Sequence, residues 1–210
     1  MKSLGGFTIM TKFLLISLLF INQTFATGFI PNSFSASFEQ VYKSALTGKE
    51  KRSKGTMDYM YPGNIKLETS SPESLTYVSN DSKTWYYTPA FIESEPGQVT
   101  IQDATKNELT KFLDILRKGL LTNKLYKVSK NKAGEYFLEF SKTIIKDLGV
   151  EKAKLTFKKD TATFKNLKIV EMTLSNKKTK KLELSKIVEG PKFKKEHFVF
   201  KVPANTKINR

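Results

Sequence analysis

The chain contains no cysteine. That excludes disulfide staples, thiolate metal ligation, a cysteine nucleophile and a lipid-modified N-terminal cysteine. Histidine is almost as scarce. His197 is the only one, so a zinc site or a Ser-His-Asp relay is poorly supplied. No glycine loop of phosphate-cradling type is present, because Gly5 and Gly6 lie in or before the apolar N-terminal run. No His, Asp and Glu group has metal-ligand spacing. The acids are dispersed and mostly alternate with lysines. Asp103, Glu108 and Asp114 lie near a helical segment, where capping and surface pairing account for them. His197 reads as a surface residue on the wet face of a strand. The sequence therefore offers no catalytic residue, no metal site and no cofactor site, and the protein is expected not to be an enzyme.

Long hydrophobic runs are missing too, with one exception. In "MTKFLLISLLFINQTFATGF" Lys12 precedes an apolar run from Phe13 to Ile21. Thr24 and Ala26 then take the small-residue positions of a cleavage site before Thr27. This is the pattern of a secretory signal over residues 1–26, too short to span a membrane. Initiation at Met1 and at Met10 both fit it. The mature domain is then 27–210, soluble in an extracytoplasmic space. Its length suits one domain, and no linker or internal repeat divides it.

Charge of one sign dominates. The formal charge is +16. Losing residues 1–26 removes Lys2 and Lys12 and no acid, which leaves +14. Such a field attracts polyanions and anionic membrane faces, although scattered lysines also serve solubility alone. Arginine is rare: Arg52, Arg117 and Arg210. Lysine acts as a point charge, whereas bidentate base readout favours arginine. Tyrosines between lysines can stack bases, but the aromatics mostly fall on the apolar side of the alternation, and export removes the chain from cytosolic nucleic acid.

Strand patterns fill the region after residue 33. In "KAKLTFKKD" Ala153, Leu155 and Phe157 alternate with polar residues, as expected of a sheet with one wet face. Tyr136, Leu138 and Phe140 share a side, as do Val170, Met172 and Leu174. So do Met57, Tyr59 and Tyr61, and in "HFVFKVP" Phe198, Phe200 and Val202, with His197 and Lys201 opposite. Turn signals at "NKAGE", "KKDTATFKN", "SNKKTKK" and "EGPKFKK" separate the runs. This spacing predicts an antiparallel meander. One helix interrupts it, "TKNELTKFLDILRKGL", with Thr105 and Glu108 at capping-box spacing. Leu109, Phe112, Leu113 and Leu116 form its apolar stripe, and Gly119 ends it. Such a helix can cover one opening of a curved sheet or simply pack as core. A half-open barrel under it would have walls suited to acyl chains, each buried methylene contributing roughly 0.8 kcal/mol.

Four segments in order, "SFSASFEQ" (33–40), "GTMDYMYPGNIKLE" (55–68), "YVSNDSKTWYYTPAFIE" (77–93) and "FVFKVPANTKI" (198–208), resemble the outer-membrane lipoprotein carrier (LolA) family across nearly all of the mature chain. The resemblance implies a mainly β (α+β) fold: a single unclosed antiparallel β-barrel with a helical lid. It implies a periplasmic chaperone that shields lipoprotein acyl chains between the inner and outer membranes, without cofactor or energy source. Its partners would be acylated lipoproteins, an inner-membrane lipoprotein-releasing transporter and an outer-membrane acceptor, with transient contact to anionic membrane surface and no nucleic acid; the protein would be a monomer. The alternative is an exported binding protein of the same fold carrying another lipid or glycolipid. The resemblance makes "SFSASFEQVYKS" the first strand, with Phe34, Ala36 and Phe38 on one side and "LTGKEKRSKG" as the following turn. Expected cavity walls are Phe38, Met57, Tyr59, Tyr61, Ile65, Leu67, Trp85 and Tyr87, with Leu109, Phe112, Leu113 and Leu116 on the lid helix. Two departures stand out. Only "TGFIPN" (27–32) precedes the first strand, where the family usually has a helix. Tyr61 stands before Pro62, where family members commonly carry an arginine that helps hold the lid shut.

Overall fold

A computed structural model of the chain describes residues 28–43, 48–92, 94–104 and 108–209. The signal over 1–26, the capping residue Thr105 and part of the first hairpin turn lie outside the described residues.

Alternation dictates the first half. β1 (Ser33–Lys43) turns Phe34, Ala36 and Phe38 to one side, all buried. β2 (Glu50–Met60) pairs with it antiparallel and sets Met57 and Tyr59 on the same side. The meander continues through β3 (Asn64–Ser71), β4 (Leu75–Ser79), β5 (Lys83–Thr88) and β6 (Gly97–Asp103). After helix α1 (Glu108–Leu116) come β7 (Tyr126–Lys130) and β8 (Tyr136–Phe140), a short helix α2 (Lys142–Leu148), then β9 (Val150–Phe157), β10 (Leu167–Leu174) and β11 (Thr179–Glu189). β11 returns to pair with β1. The strands form one sheet in the order β12-β6-β5-β4-β3-β2-β1-β11-β10-β9-β8-β7, where β12 is Thr206–Asn209. Its edges, β12 and β7, do not pair, so the barrel is unclosed, and α1 lies across the concave side. All pairings are antiparallel except β12 with β6.

The sheet coils where its ladder slips. Register shifts occur in β1 against β11, β2 against β3, and β9 against β10, and such bulges sharpen local bend and twist. Gly55 lies at one of them. A Cβ there would stand 2.1 Å from the Glu68 carbonyl oxygen, so only glycine permits this approach of β2 to β3.

Two expectations from sequence are corrected. "HFVFKVP" is not a strand: Lys195–Phe198 is a 3-10 turn and Val199–Pro203 has no regular structure. This segment straps the convex face, burying Phe198 completely against Val78, Trp85 and Val99. His197 is not a free surface group. Its Nε2 lies 2.7 Å from Asp58 Oδ2, its ring stacks on Phe193, and Ser35 Oγ donates to the other Asp58 oxygen at 2.6 Å. Second, α2 joins α1 as a further helix. "SKTIIKDLG" stops at Gly149 in the left-handed region (φ 65°), whose N–H donates to the Ile145 carbonyl at 2.8 Å.

The sheet divides the core in two. The large cluster fills the concave side beneath α1, and the small one lies on the convex side beneath the strap.

Candidate cavity under the lid helix

The amphipathic stripe of α1 must bury against the sheet, and the two ends of the helix do so differently. Near its C-terminus Leu113 and Leu116 share one buried cluster with Ile30, Phe34, Tyr59, Ile65, Phe164 and Leu167. These belong to the segment before β1, the start of β1, the end of β2, the start of β3, the β9–β10 connection and the start of β10. That end of the half-barrel is solid. Towards the other end the side chains do not meet, and a cavity of about 510 Å³ remains.

Its walls come from Phe38 on β1, Met57 on β2, Leu67 on β3, Leu75 and Tyr77 on β4, and Tyr86 on β5. Across the hollow stand Val150, Met172, Leu174 and Leu182, with Leu109 and Phe112 as the roof. Gln40, Thr69, Glu108, Lys180 and Lys181 provide the polar lining. The volume falls within the roughly 300–1,000 Å³ of small-ligand sites. Thioethers and ring faces suit a flexible hydrocarbon chain. Among the described residues there is no group of His, Cys, Asp and Glu able to hold a metal ion, and no helix is long and apolar enough to cross a membrane.

The sequence-expected wall residues divide into three sets. Phe38, Met57, Leu67, Leu109 and Phe112 line the hollow. Tyr59, Ile65, Leu113 and Leu116 lie in the solid part of the same core. Trp85 and Tyr87 do not reach the cavity at all, because they point to the convex side, against Phe198 and Phe200. On β5 it is Tyr86, between them, that lines the cavity. Tyr61 also lies off the wall: β2 ends at Met60, and Tyr61 is 47% exposed on the following turn. Sequence reasoning missed Leu75, Tyr77, Tyr86, Val150 and Leu182 as walls. It grouped Met172 and Leu174 on one strand face without assigning that face to the hollow.

A polar anchor holds the C-terminal end of α1. The Tyr59 hydroxyl donates to Asp114 Oδ1, and the Gly63 backbone N–H donates to the same carboxylate. Asp114 was expected to be explained by capping and surface pairing; instead it is half-buried. Desolvation pushes its pKa up, opposed by the Tyr59 hydroxyl, the Gly63 N–H and the charge of Arg117. Burial, followed by the bond to Asp114, drives the Tyr59 phenol pKa upward. One turn of helix later, Arg117 places its guanidinium carbon 4.0 Å from the centre of the Tyr61 ring, and its Nη2 donates to Asn32 Oδ1 at 2.7 Å. The cation therefore comes from the lid and the aromatic ring from the β2–β3 turn. The N-terminal segment closes over this joint: a Cβ on Gly28 would lie 2.0 Å from the Arg117 carbonyl oxygen. Residues 28–32 contain no helix. Phe29 packs edge-on against Phe157 and Phe164 instead.

The family model described as "Outer membrane lipoprotein carrier protein LolA" matches residues 31–201. An outer-membrane lipoprotein carrier protein of Francisella tularensis is 27% identical over 180 residues, covering 84% of this chain and 81% of its own length. One from Idiomarina loihiensis is 28% identical over 182 residues, covering 84% and 80%. A solved LolA superfamily protein from Nitrosomonas europaea aligns over 83% of this chain and 93% of its own at 11% identity, with a TM-score of 0.46. The chain belongs to the LolA family of outer-membrane lipoprotein carrier proteins.

Proposed function

We propose that the cavity beneath α1 takes up lipoprotein acyl chains, with Phe38, Met57, Leu67, Leu109 and Phe112 among the residues that touch them. As a LolA-family member the protein is a periplasmic carrier that shuttles lipoproteins between the two membranes; it is not an enzyme. The observation that carries the cavity assignment is an apolar hollow roofed by one amphipathic helix, beside an otherwise closely packed core. Water leaves such a hollow at little cost, and each methylene that replaces it contributes roughly 0.8 kcal/mol. Transfer then needs only a difference in affinity along the route, which a cavity of modest depth supplies without a covalent step.

The finer partners belong to the same proposal: an inner-membrane transporter that releases lipoproteins into this carrier, and an outer-membrane acceptor that takes them. Residues 1–26 would direct export and be removed, leaving 27–210 as one domain. At about 510 Å³ the hollow is on the scale of one small ligand. A cargo with several chains therefore requires α1 to move outward.

The direct test loads purified mature protein with a fluorescent acyl probe and with a detergent-free lipoprotein, followed by mass spectrometry of whatever co-purifies from the periplasm. Recovery of acylated protein supports the reading. Recovery of a free lipid or glycolipid alone would move the assignment to a carrier of that molecule. A chain that keeps neither probe nor lipoprotein in solution would refute the cavity assignment.

A further inference from the structure

The polar and apolar features around the cavity mouth are not randomly placed. The terminal pairs Lys43 with Glu50, Thr69 with Leu75, Thr88 with Gln98, and Thr173 with Thr179 all close the same end of the antiparallel meander. Gln40, Thr69, Leu75, Leu174 and Lys180 line the cavity from that end, so the hollow opens there. Two lysine-rich hairpins flank it. One presents Lys51, Arg52 and Lys54, the other Lys177, Lys178 and Lys180, all exposed. Arg52 and Lys54 pair with Glu39, and Lys177 with Glu151. Lys51, Lys178 and Lys180 make no ion pair among the described residues.

The β5–β6 loop projects from the same end. Its turn closes with the Glu95 N–H donating to the Ile92 carbonyl at 2.9 Å. Phe91 at its tip is 95% exposed and Ile92 53% exposed. A phenylalanine held almost wholly in water contributes nothing to the fold. Beside a basic surface, such a tip matches an interface that is negatively charged outside and apolar just beneath. The exposed acid Glu95 weakens the pull at the tip itself, so the attraction must come from the two hairpins.

We infer that the mouth end of this half-barrel docks on a bilayer surface rich in anionic phospholipid, with Phe91 and Ile92 inserted at the level of the headgroups and the lysine hairpins holding the cavity mouth against the membrane. The inference rests on the carrier reading for its purpose but not for its test. Docking in this pose brings the hollow to the surface from which acyl chains leave or which they enter, shortening their passage through water. The attachment is reversible, because one inserted tip and a handful of exposed lysines fall short of a stable anchor.

The test is vesicle flotation of the mature protein with phosphatidylcholine alone and with added phosphatidylglycerol, at low and high salt. Binding is expected only to the anionic vesicles and should be lost at high salt. Reversing Lys51 and Lys178 together to Glu should lower partition by at least about fivefold per lysine. The double substitution Phe91→Ser, Ile92→Ser should lower it by about tenfold while leaving acyl-probe affinity unchanged, which also shows that the variant is folded. Absence of binding to anionic vesicles, equal binding to neutral ones, or undiminished binding by the Phe91, Ile92 variant would each overturn the inference. A chain that floats as expected yet takes no acyl probe would refute the cavity assignment and leave the docking surface standing.

Discussion

Replacing Tyr59 with phenylalanine removes one oxygen atom and little else. The ring is fully buried and packs 5.2 Å from Phe34, and phenylalanine preserves that contact. What is lost is the hydroxyl bond to Asp114, which ties the β2 wall directly to the body of α1. Bonds to ionised groups are worth about 1.5–3 kcal/mol. Asp114 is half-buried, so losing one of its donors exposes part of its desolvation cost. A loss of about 2 kcal/mol corresponds to about a 30-fold rise in the open population of the lid. The assay is hydrogen exchange of the α1 amides, with the amides of β1 and β2 as internal references. In Tyr59→Phe the α1 amides should lose about 30-fold in protection, whereas those of β1 and β2 should keep theirs within a few-fold. Two results would refute the reasoning. If α1 exchange is unchanged, the bond does not hold the lid. If every strand loses protection in step with α1, the helix opens only when the whole fold does, and there is no separate lid.

Four further outcomes follow from the same contacts. Asp114 has a folded pKa raised by desolvation above its ordinary 3.8, so the native state binds the extra proton and stability falls as pH rises from about 3.8 through that folded value. The neutral Asp114→Asn lacks this dependence, so denaturant melts across acidic pH should show the variant gaining on the wild type as pH increases; a constant difference would refute it. Met172→Trp fills the hollow opposite α1 and should weaken acyl-probe binding at least tenfold while thermal unfolding moves by only a few degrees. Trp85→Ala empties the convex cluster and should cost about 3–5 kcal/mol in urea melts, without changing probe affinity of the folded fraction; lost affinity would put Trp85 back on the cavity wall. Gly55→Ala forces a methyl into the Glu68 carbonyl 2.1 Å away, and a loss of at least about 1–3 kcal/mol in the same melts is expected.

Much of the fold was visible because strand alternation is a local property. Phe34, Ala36 and Phe38 share a face whatever surrounds them, and the stripe from Leu109 to Leu116 fixes one side of α1 in the same way. Alternation states which residues lie together, but not which side becomes concave. "KTWYYT" has large rings on both faces of β5, so Trp85 and Tyr87 were grouped correctly with each other and placed on the wrong side. The concave position belongs to Tyr86, and the strap that buries Trp85 arrives from more than a hundred residues away. "HFVFKVP" also alternates, yet its backbone turns early to bury Phe198, which is a tertiary demand. α2 went unread because seven residues containing Thr143, Ile144 and Ile145 carry a weak helical signal, although Ser141 and Gly149 bracket it. Asp114 and Arg117 lie three apart on a helix and so share a flank. Their partners Tyr59, Tyr61 and Asn32 are long-range, and no spacing rule reports them.

The asymmetry along α1 determines how the lid can open. Its C-terminal half is fixed three ways: Leu113 and Leu116 in solid core, Asp114 on Tyr59 and Gly63, and Arg117 on Tyr61 and Asn32. Its N-terminal half has Leu109 and Phe112 over the hollow and a surface ion pair, Lys111 to Asp147 at 2.6 Å. An exposed pair of this kind is worth at most about 1 kcal/mol, and the apolar contacts beneath are incomplete where the cavity lies. Opening should therefore pivot on the anchored turn, raising the Glu108 end first and widening the hollow at the same mouth through which chains enter. On this account the Arg117 cation on the lid side and the Tyr61 ring on the β2–β3 turn serve as a hinge pin. A pair of spin labels at Lys111 and Lys180 should move apart on loading with an acyl probe, while a pair at Lys118 and Asn64 should keep its distance. The reverse pattern would make the polar cluster a clasp that releases, and the pivot would then lie at the opposite end.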